Sequence, residues 1–419
     1  MSPLLFVLAM EYLSRVLKKI ARDKEFRFHE RCADLQLNHL CFVDDVVLFT
    51  HGDFKSVYRV LQGFELFSQS SGLQANYSKS KLISNGIPEV EVQRILSVSK
   101  LKRGNLPFQY LGIPISAKKF SPCDYEGLID KMVDRIKNWS WKFLSFAGRL
   151  TLINSVLISF HTYWAHIVVL PKRVLCRINE ICRAFLWKGL AEFGGPGSVA
   201  WDDVCKSKYK GGLGIRHIDL WNLAALRKYV WAIAANKENM WVKWIHSVYL
   251  KGEHWWEYEP PLQSILYWKK ITEVKNRLKE FYSFQSFISI RYSITEVYGK
   301  FRGVLESGNL AWTRYIWNAY LVPKHAFITW LATLNRLKTK AQLHHIGVAS
   351  DPTCLICGNA KEDGIHLFFS CCYSRKCITE IKHWLGWNSN SESLQGLLRW
   401  LARGKGIYLN FREEFMLLV

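Results

Sequence analysis

Two groups of residues have the types and spacing to do chemistry. The first is Asp44-Asp45, set inside the apolar run LNHLCFVDDVVLFTHG at 37–52. A carboxylate buried without a partner is costly, so the pair must be exposed at a turn, balanced by cations, or both. Two-metal phosphoryl transfer uses carboxylates that bridge cations about 4 Å apart. Aspartates also make turns with no metal at all, and the dipeptide alone does not separate these readings. The second group is Cys354, Cys357, His366 and Cys371 in CLICGNAKEDGIHLFFSCC. Two thiolates on a turn, with a His and a Cys at the start of a helix, make a closed N/S set suited to tetrahedral zinc. With no coordination position left open, such a site is structural. Cys372 or Cys377 can replace Cys371 in this reading, and a disulfide knot competes with it. Six further cysteines (Cys32, Cys41, Cys123, Cys176, Cys182, Cys205) are scattered singly. They read as reduced, buried thiols of an intracellular protein, which argues against the knot.

The elements that position these groups follow from periodicity. CADLQLNHLCF and VVLFTHG read as two extended runs, which places the carboxylates at the tip of a β-hairpin. Ahead of them, Ser2 as N-cap, Pro3, and apolar Leu4, Leu5, Leu8, Leu13, Val16, Leu17 and Ile20 predict an amphipathic helix. It has neither basic residues ahead of its apolar run nor a cleavage site after it, so it is not a signal peptide. Residues 54–73 carry helical spacing ended by Ser70-Ser71-Gly72, QANYSKSKLIS reads as a short strand, and LPFQYLGIPIS (106–116) as a second hairpin bending at Gly112 and Pro114. Helix, hairpin, helix, strand and hairpin make an α+β unit.

From residue 117 the pattern turns to long helices of mixed apolar and basic residues, and EFGGPGS (192–198) is the clearest linker. Beyond it, Trp and Tyr interleave with Lys, Arg and His. The divisions are therefore 1–116, a helical region at 117–195, a basic Trp-rich connector at 196–305, and 306–419. The 419 residues are 49% hydrophobic, enough for two to four packed domains. Against 35 Asp plus Glu stand 57 Lys plus Arg, a formal charge of +22 spread along the chain, which favours a polyanionic partner such as nucleic acid. No apolar stretch is long enough to span a membrane. Trp312, Trp317 and Trp330, at near-helical spacing, read as core.

The runs MSPLLFVLAMEYLSRVL, LNHLCFVDDVVLFTHG, SGLQANYSKSKL and LPFQYLGIPIS stand in an order that resembles the reverse transcriptases of plant LINE-type (non-LTR) retrotransposons. The fold implied is α+β: a partial reverse-transcriptase palm, a mainly α-helical thumb and connector, and a small zinc-binding domain. By this resemblance Asp44 is a magnesium- or manganese-binding carboxylate and Asp45 its neighbour. Asn76 and Lys79 fall in a later palm motif whose lysine lies near the pyrophosphate leaving group, although Lys79 beside Lys81 also reads as a solvated cation. Leu111 and Gly112 lie in the hairpin that grips the primer. WSWKFLSFAGRLTLINSVLISFHTYW resembles the thumb, where Arg149 with Lys142 contacts the primer-template backbone, or where two surface cations decorate a packed helix.

LAWTRYIWNAYLVPKHAFITWLATLNRLKTKAQLHHIGVASDPTCLICGNAKEDGIHLFFSC resembles the zinc-binding domain that follows the polymerase in these elements. There Arg336, Lys338 and Lys340, beside Trp330, form a phosphate-contacting edge with an aromatic platform.

The family strand that bears a further catalytic aspartate is not in this sequence, since Glu11, Asp23, Glu25, Glu30 and Asp34 all lack its context. Two metal ions would lack a complete cage, so the expectation is a truncated RNA-directed DNA polymerase by descent that is inactive alone. The alternatives are a non-enzymatic, zinc-containing nucleic-acid-binding protein and a decaying reading frame. RNA and DNA are the implied partners, nucleus or cytoplasm the implied location.

Overall fold

Local hydrogen bonding decides most of the secondary structure in this computed structural model, which describes residues 2–116, 121–139, 144–168, 170–192, 195, 197–289, 293–303, 310–318 and 321–403. Lys142 lies outside the described residues. The helices in the first half are α1 (Ser2–Ile20), α2 (Phe54–Ser71), α3 (Glu89–Ser99), α4 (Glu126–Asn138), α5 (Phe146–Leu152), α6 (Ile158–Ala165), α7 (Lys172–Lys188), α8 (Trp201–Cys205) and α9 (Ile218–Ala234). Then come α10 (Met240–Ile245), α11 (Leu266–Lys279), α12 (Phe284–Ser289), α13 (Ile294–Gly303), α14 (Thr313–Ile316), α15 (Pro323–Thr333), α16 (Lys340–His345), α17 (Cys372–Trp384) and α18 (Leu394–Arg403). The strands are β1 (His39–Phe42), β2 (Asp45–Leu48), β3 (Lys81–Leu82), β4 (Lys102–Arg103), β5 (Phe108–Tyr110) and β6 (Ile113–Ile115). Among the described residues they form three separate two-stranded ladders, antiparallel β1–β2 and β5–β6 and parallel β3–β4. The architecture is mixed α and β with helix dominant, and among the described residues no helix is long and apolar enough to cross a membrane.

The chain divides into two units, each discontinuous in sequence: 1–124 with 228–292, and 125–227 with 293–419. In the first, Leu13, Leu17, Phe26, Val60 and Phe67 form a core against which Val46 and Leu48 of the hairpin pack. Asp53 accepts from the Ser56 amide at the start of α2, and Gly72, at φ +74, ends it. Only the second half of α1 is buried, because its described neighbours cover it from Ala9 onward; Leu4, Leu5 and Leu8 are exposed. Residues 32–37 are not extended. The Leu37 amide closes on the Cys32 carbonyl at 3.0 Å, with Gln36 at φ +48, so a local turn takes the hydrogen bonds a strand would need. Helix α3, which the apolar pattern does not announce, packs on α2. Residues 228–292 join this unit through polar contacts as well: the Trp244 indole donates to the Arg31 carbonyl at 2.8 Å, and the Ser247 hydroxyl to Asp34.

In the second unit α4 buries Leu128, Met132 and Ile136, while α7 buries Ile178, Ile181 and Phe185. A π-helical turn at Ile153–Leu157 joins α5 to α6. Trp330 of α15 is fully buried, its indole donating to the Gly211 carbonyl at 2.7 Å. Of the six single cysteines, Cys182 and Cys205 are buried. Burial pushes the Cys182 thiol up to about 12, making it inert. The reading of all six as buried does not hold: Cys41, Cys123 and Cys176 are exposed and Cys32 partly so.

Candidate metal centres

The carboxylate pair stands where the sequence puts it, at the tip of β1–β2. Phe42 and Asp45 are the last register partners, so Val43 and Asp44 are the two turn residues, with Val43 at φ +52. A β-branched residue is strained there, which is notable in a two-residue hairpin turn. Asp44 and Asp45 are both exposed. Neither has a hydrogen-bond or ion-pair partner, and no third ligand-type side chain completes a metal-holding group with them among the described residues. Tyr110 at the end of β5 lies near enough that its phenol is held up, first by burial and then by Asp45 and Cys41. Tyr110 of the second hairpin thus feels the charge of Asp45, which sequence reasoning missed because Tyr110 carries no motif signal of its own.

Leu111 and Gly112 are the turn of β5–β6, both at positive φ (+51 and +76), so the bend falls there while Pro114 lies within β6. Asn76 and Lys79 are not in a strand. The Asn76 side chain accepts from the Ser78 hydroxyl at 2.6 Å and the Lys79 amide at 3.3 Å, folding 76–80 into a turn and leaving β3 two residues long. The Lys79 side chain is exposed, and no hydrogen bond or ion pair ties it to the aspartates.

Arg149 of α5 is half-buried, with its guanidinium at the C-terminal end of α7. Its guanidinium donates to the Leu186 carbonyl at 3.4 Å, lies 5.3 Å from the Phe146 ring centroid, and has its pKa lowered by burial. A cation at a helix C-terminus complements the helix dipole, so the packed-helix alternative describes its surroundings.

Cys354, Cys357, His366 and Cys371 come together with all four donor atoms within 4.8 Å of one another. Cys372 is exposed and Cys377 half-buried, and neither is part of the group. The Cys357 sulfur lies 3.3 Å from His366 Nε2. Bond lengths of about 2.3 Å to sulfur and 2.0 Å to nitrogen give a tetrahedral S···N edge of roughly 3.5 Å, so three thiolates and an imidazole at this spacing fit zinc.

Local hydrogen bonds explain how ligands spread over residues 354–371 close on one point. The Cys354 amide donates to the Ala360 carbonyl at 2.8 Å, closing the Cys-x2-Cys loop, with Thr353 and Lys361 bridged across it. Asp363 Oδ1 accepts from the His366 amide at 2.7 Å and starts the π-helical turn His366–Ser370. Cys371 is the N-cap residue of α17, close to the first amides of that helix. The backbone amides of Asn359 and Ala360 pull the Cys357 thiol down, whereas burial pushes Cys371 up. A thiol lowered by neighbouring backbone N–H groups, with a second at a helix N-terminus, suits binding of a cation. The roles of Asp363 and of the N-cap were missed in the sequence, although an acid three residues before a helical turn is the signal that finds the first.

The basic edge is divided. Arg336 and Lys338 are exposed, with no ion pair among the described residues, but Lys340 is turned inward to the Thr353 carbonyl at 3.0 Å. Trp330, buried whole, cannot serve as a stacking platform.

Residues 1–115 match the family described as reverse transcriptase (RNA-dependent DNA polymerase), and residues 292–377 match the family described as zinc-binding in reverse transcriptase. Over these two segments the chain is thus similar to the polymerase and to the zinc-binding families of reverse transcriptases. A protein of Arabidopsis thaliana named as a putative ribonuclease H protein is 33% identical over 141 residues. Those residues are 34% of this chain and 23% of that relative's length.

Proposed function

We propose that this chain is a nucleic-acid-binding part of a plant LINE-type, non-LTR retrotransposon reverse transcriptase, holding one structural zinc, and that its 419 residues alone do not polymerise DNA. In this reading 1–116 are a partial palm and 117–195 thumb-like. The observation that carries it is the pairing, in one chain, of a complete four-donor zinc group with an incomplete carboxylate group. Cys354, Cys357, His366 and Cys371 converge, whereas Asp44 and Asp45 stand without a third ligand among the described residues. One carboxylate pair at a hairpin tip does not fix two magnesium ions, so the attacking and leaving oxygens would not both be stabilised. The charge of +22 supports RNA or DNA as the partner.

The test uses the full chain. Metal analysis should find one zinc per chain, and affinity for structured RNA should fall steeply with salt. Primer extension with magnesium or manganese should give no product above that of an Asp44→Ala variant. Extension abolished by Asp44→Ala would overturn the inactivity, and an affinity indifferent to salt would overturn the phosphate-binding role.

A further inference from the structure

The segment that carries the basic edge is tied to the metal loop at two places, Glu362 and Thr353, and passes close to it at Gly364. Asn335 Oδ1 lies 3.7 Å from where a Cβ on Gly364 would stand, two residues before His366. Glu362 meets the start of α16 twice: its carboxylate accepts from the Lys340 amide and its carbonyl from the Ala341 amide, each at 3.1 Å. The Lys340 ammonium crosses to the other side of the loop, donating to the Thr353 carbonyl at 3.0 Å with Asp351 at 3.7 Å. Asp351 in turn accepts from the Thr353 amide at 3.0 Å and is held below the usual carboxylate range, first by that threonine's hydroxyl and then by its amide, with a lesser contribution from Lys340. Thr353 immediately precedes the ligand Cys354, and Glu362 immediately precedes Asp363, which caps the turn bearing His366.

We infer that Lys340 and Glu362 form a clasp that positions the zinc ligands, and that zinc loading in turn fixes the edge presenting Arg336 and Lys338. Lys340 grips one end of the loop through Thr353, and Glu362 fixes the other end to the same residue's backbone. Losing either frees the loop that must bring Cys354 and His366 to one point. Supports of this kind typically change metal affinity by about 10- to 100-fold when removed. Because the clasp and the edge are consecutive in the chain, metal release frees Arg336 and Lys338 from a fixed spacing, so their binding to a polyanion becomes zinc-dependent. The second half of the inference rests on the proposed nucleic-acid role; the first does not.

Zinc affinity of the full chain, measured by competition with a chromogenic chelator, separates the two. Lys340→Ala is expected to weaken zinc by about 10-fold or more. Its cobalt-substituted form should keep the absorption bands of a site with three sulfur ligands and one nitrogen, since no ligand is lost. Lys340→Arg, which can still donate to Thr353, should return the affinity to within a few-fold of the parent. Glu362→Gln, which keeps an acceptor for the Lys340 amide, gives a milder loss and serves if Lys340→Ala does not fold. Arg336→Ala with Lys338→Ala should leave zinc affinity unchanged and reduce the salt slope of RNA binding by about one per cation. Unchanged zinc affinity in both Lys340→Ala and Glu362→Gln would overturn the clasp. Weakened zinc with RNA binding equal in the zinc-loaded and zinc-stripped parent would overturn the coupling to the edge and leave the clasp standing.

Discussion

His161 lies in α6 with no exposed surface, and neither ring nitrogen has a hydrogen-bond partner among the described residues. Burial, reinforced by His166 and Arg216, lowers its pKa from 6.5 to about 3. The folded state therefore holds the ring neutral while the unfolded chain takes up a proton below 6.5. Between about 3 and 6.5 the unfolded state binds more protons, so stability is complete above 6.5 and falls as the pH is lowered. At about 1.4 kcal/mol per pH unit, linkage gives a loss of about 2 kcal/mol between pH 7 and pH 5, and roughly 5 kcal/mol once both states are titrated. His161→Leu conserves volume and removes both the titration and the two unpartnered nitrogens, which cost about 1–3 kcal/mol when buried. The variant should match or exceed the parent at pH 7 and exceed it by a further ~2 kcal/mol at pH 5. Urea unfolding followed by tryptophan fluorescence reads this directly, with Trp164 on the same helix. Acid loss of metal from the Cys and His ligands is common to both proteins and cancels in the difference. A constant difference from pH 7 to pH 5 would refute the argument.

Two basic side chains, Lys275 and the half-buried Arg149, make further predictions. Lys275 is fully buried; its ammonium donates to the carbonyls of Tyr258 and Trp255, and burial, with Lys279, lowers its pKa from 10.5 to about 8. The unfolded chain binds the extra proton between about pH 8 and 10.5, so this residue makes stability rise across that window, and the rise should vanish in Lys275→Met relative to the parent. Equal pH dependence in parent and variant from pH 7.5 to 10 would count against it. Arg149→Ala should lower stability by about 1–2 kcal/mol, through the lost α7 contact, and leave RNA affinity unchanged. Reduced RNA affinity at full stability would restore the backbone-contacting role that its sequence context suggests.

Legibility in the sequence tracked how local the determining physics is. The β1–β2 hairpin could be read because apolar runs flank the Asp-Asp pair, and the zinc group because its spacing encodes its own loop. Lys340 could not be assigned, since a long flexible side chain reaches either phosphate or its own Thr353, and only the fold decides which. The strand expected at 74–84 shrinks to Lys81–Leu82 because the Asn76 side chain offers the backbone a competing turn. Trp330 read correctly as core and wrongly as a platform, two readings that exclude each other once the Gly211 hydrogen bond is seen.

The division into units was invisible to motif reasoning for a different reason. The motif-rich 1–116 folds with 228–292 through Trp244 and Ser247, residues with no signature, and the zinc-binding segment folds with 125–227. A boundary drawn where motifs stop cuts contacts within both units. Within the second unit the Trp330 indole closes on Gly211, and Phe146 stacks on Phe327 at 5.0 Å between ring centroids. A fragment beginning at 306 would therefore expose the face of α15 that these residues cover. Weak zinc or RNA binding by such a fragment would report on that lost support, and only the intact chain isolates what the four metal ligands and the Arg336–Lys338 edge do themselves.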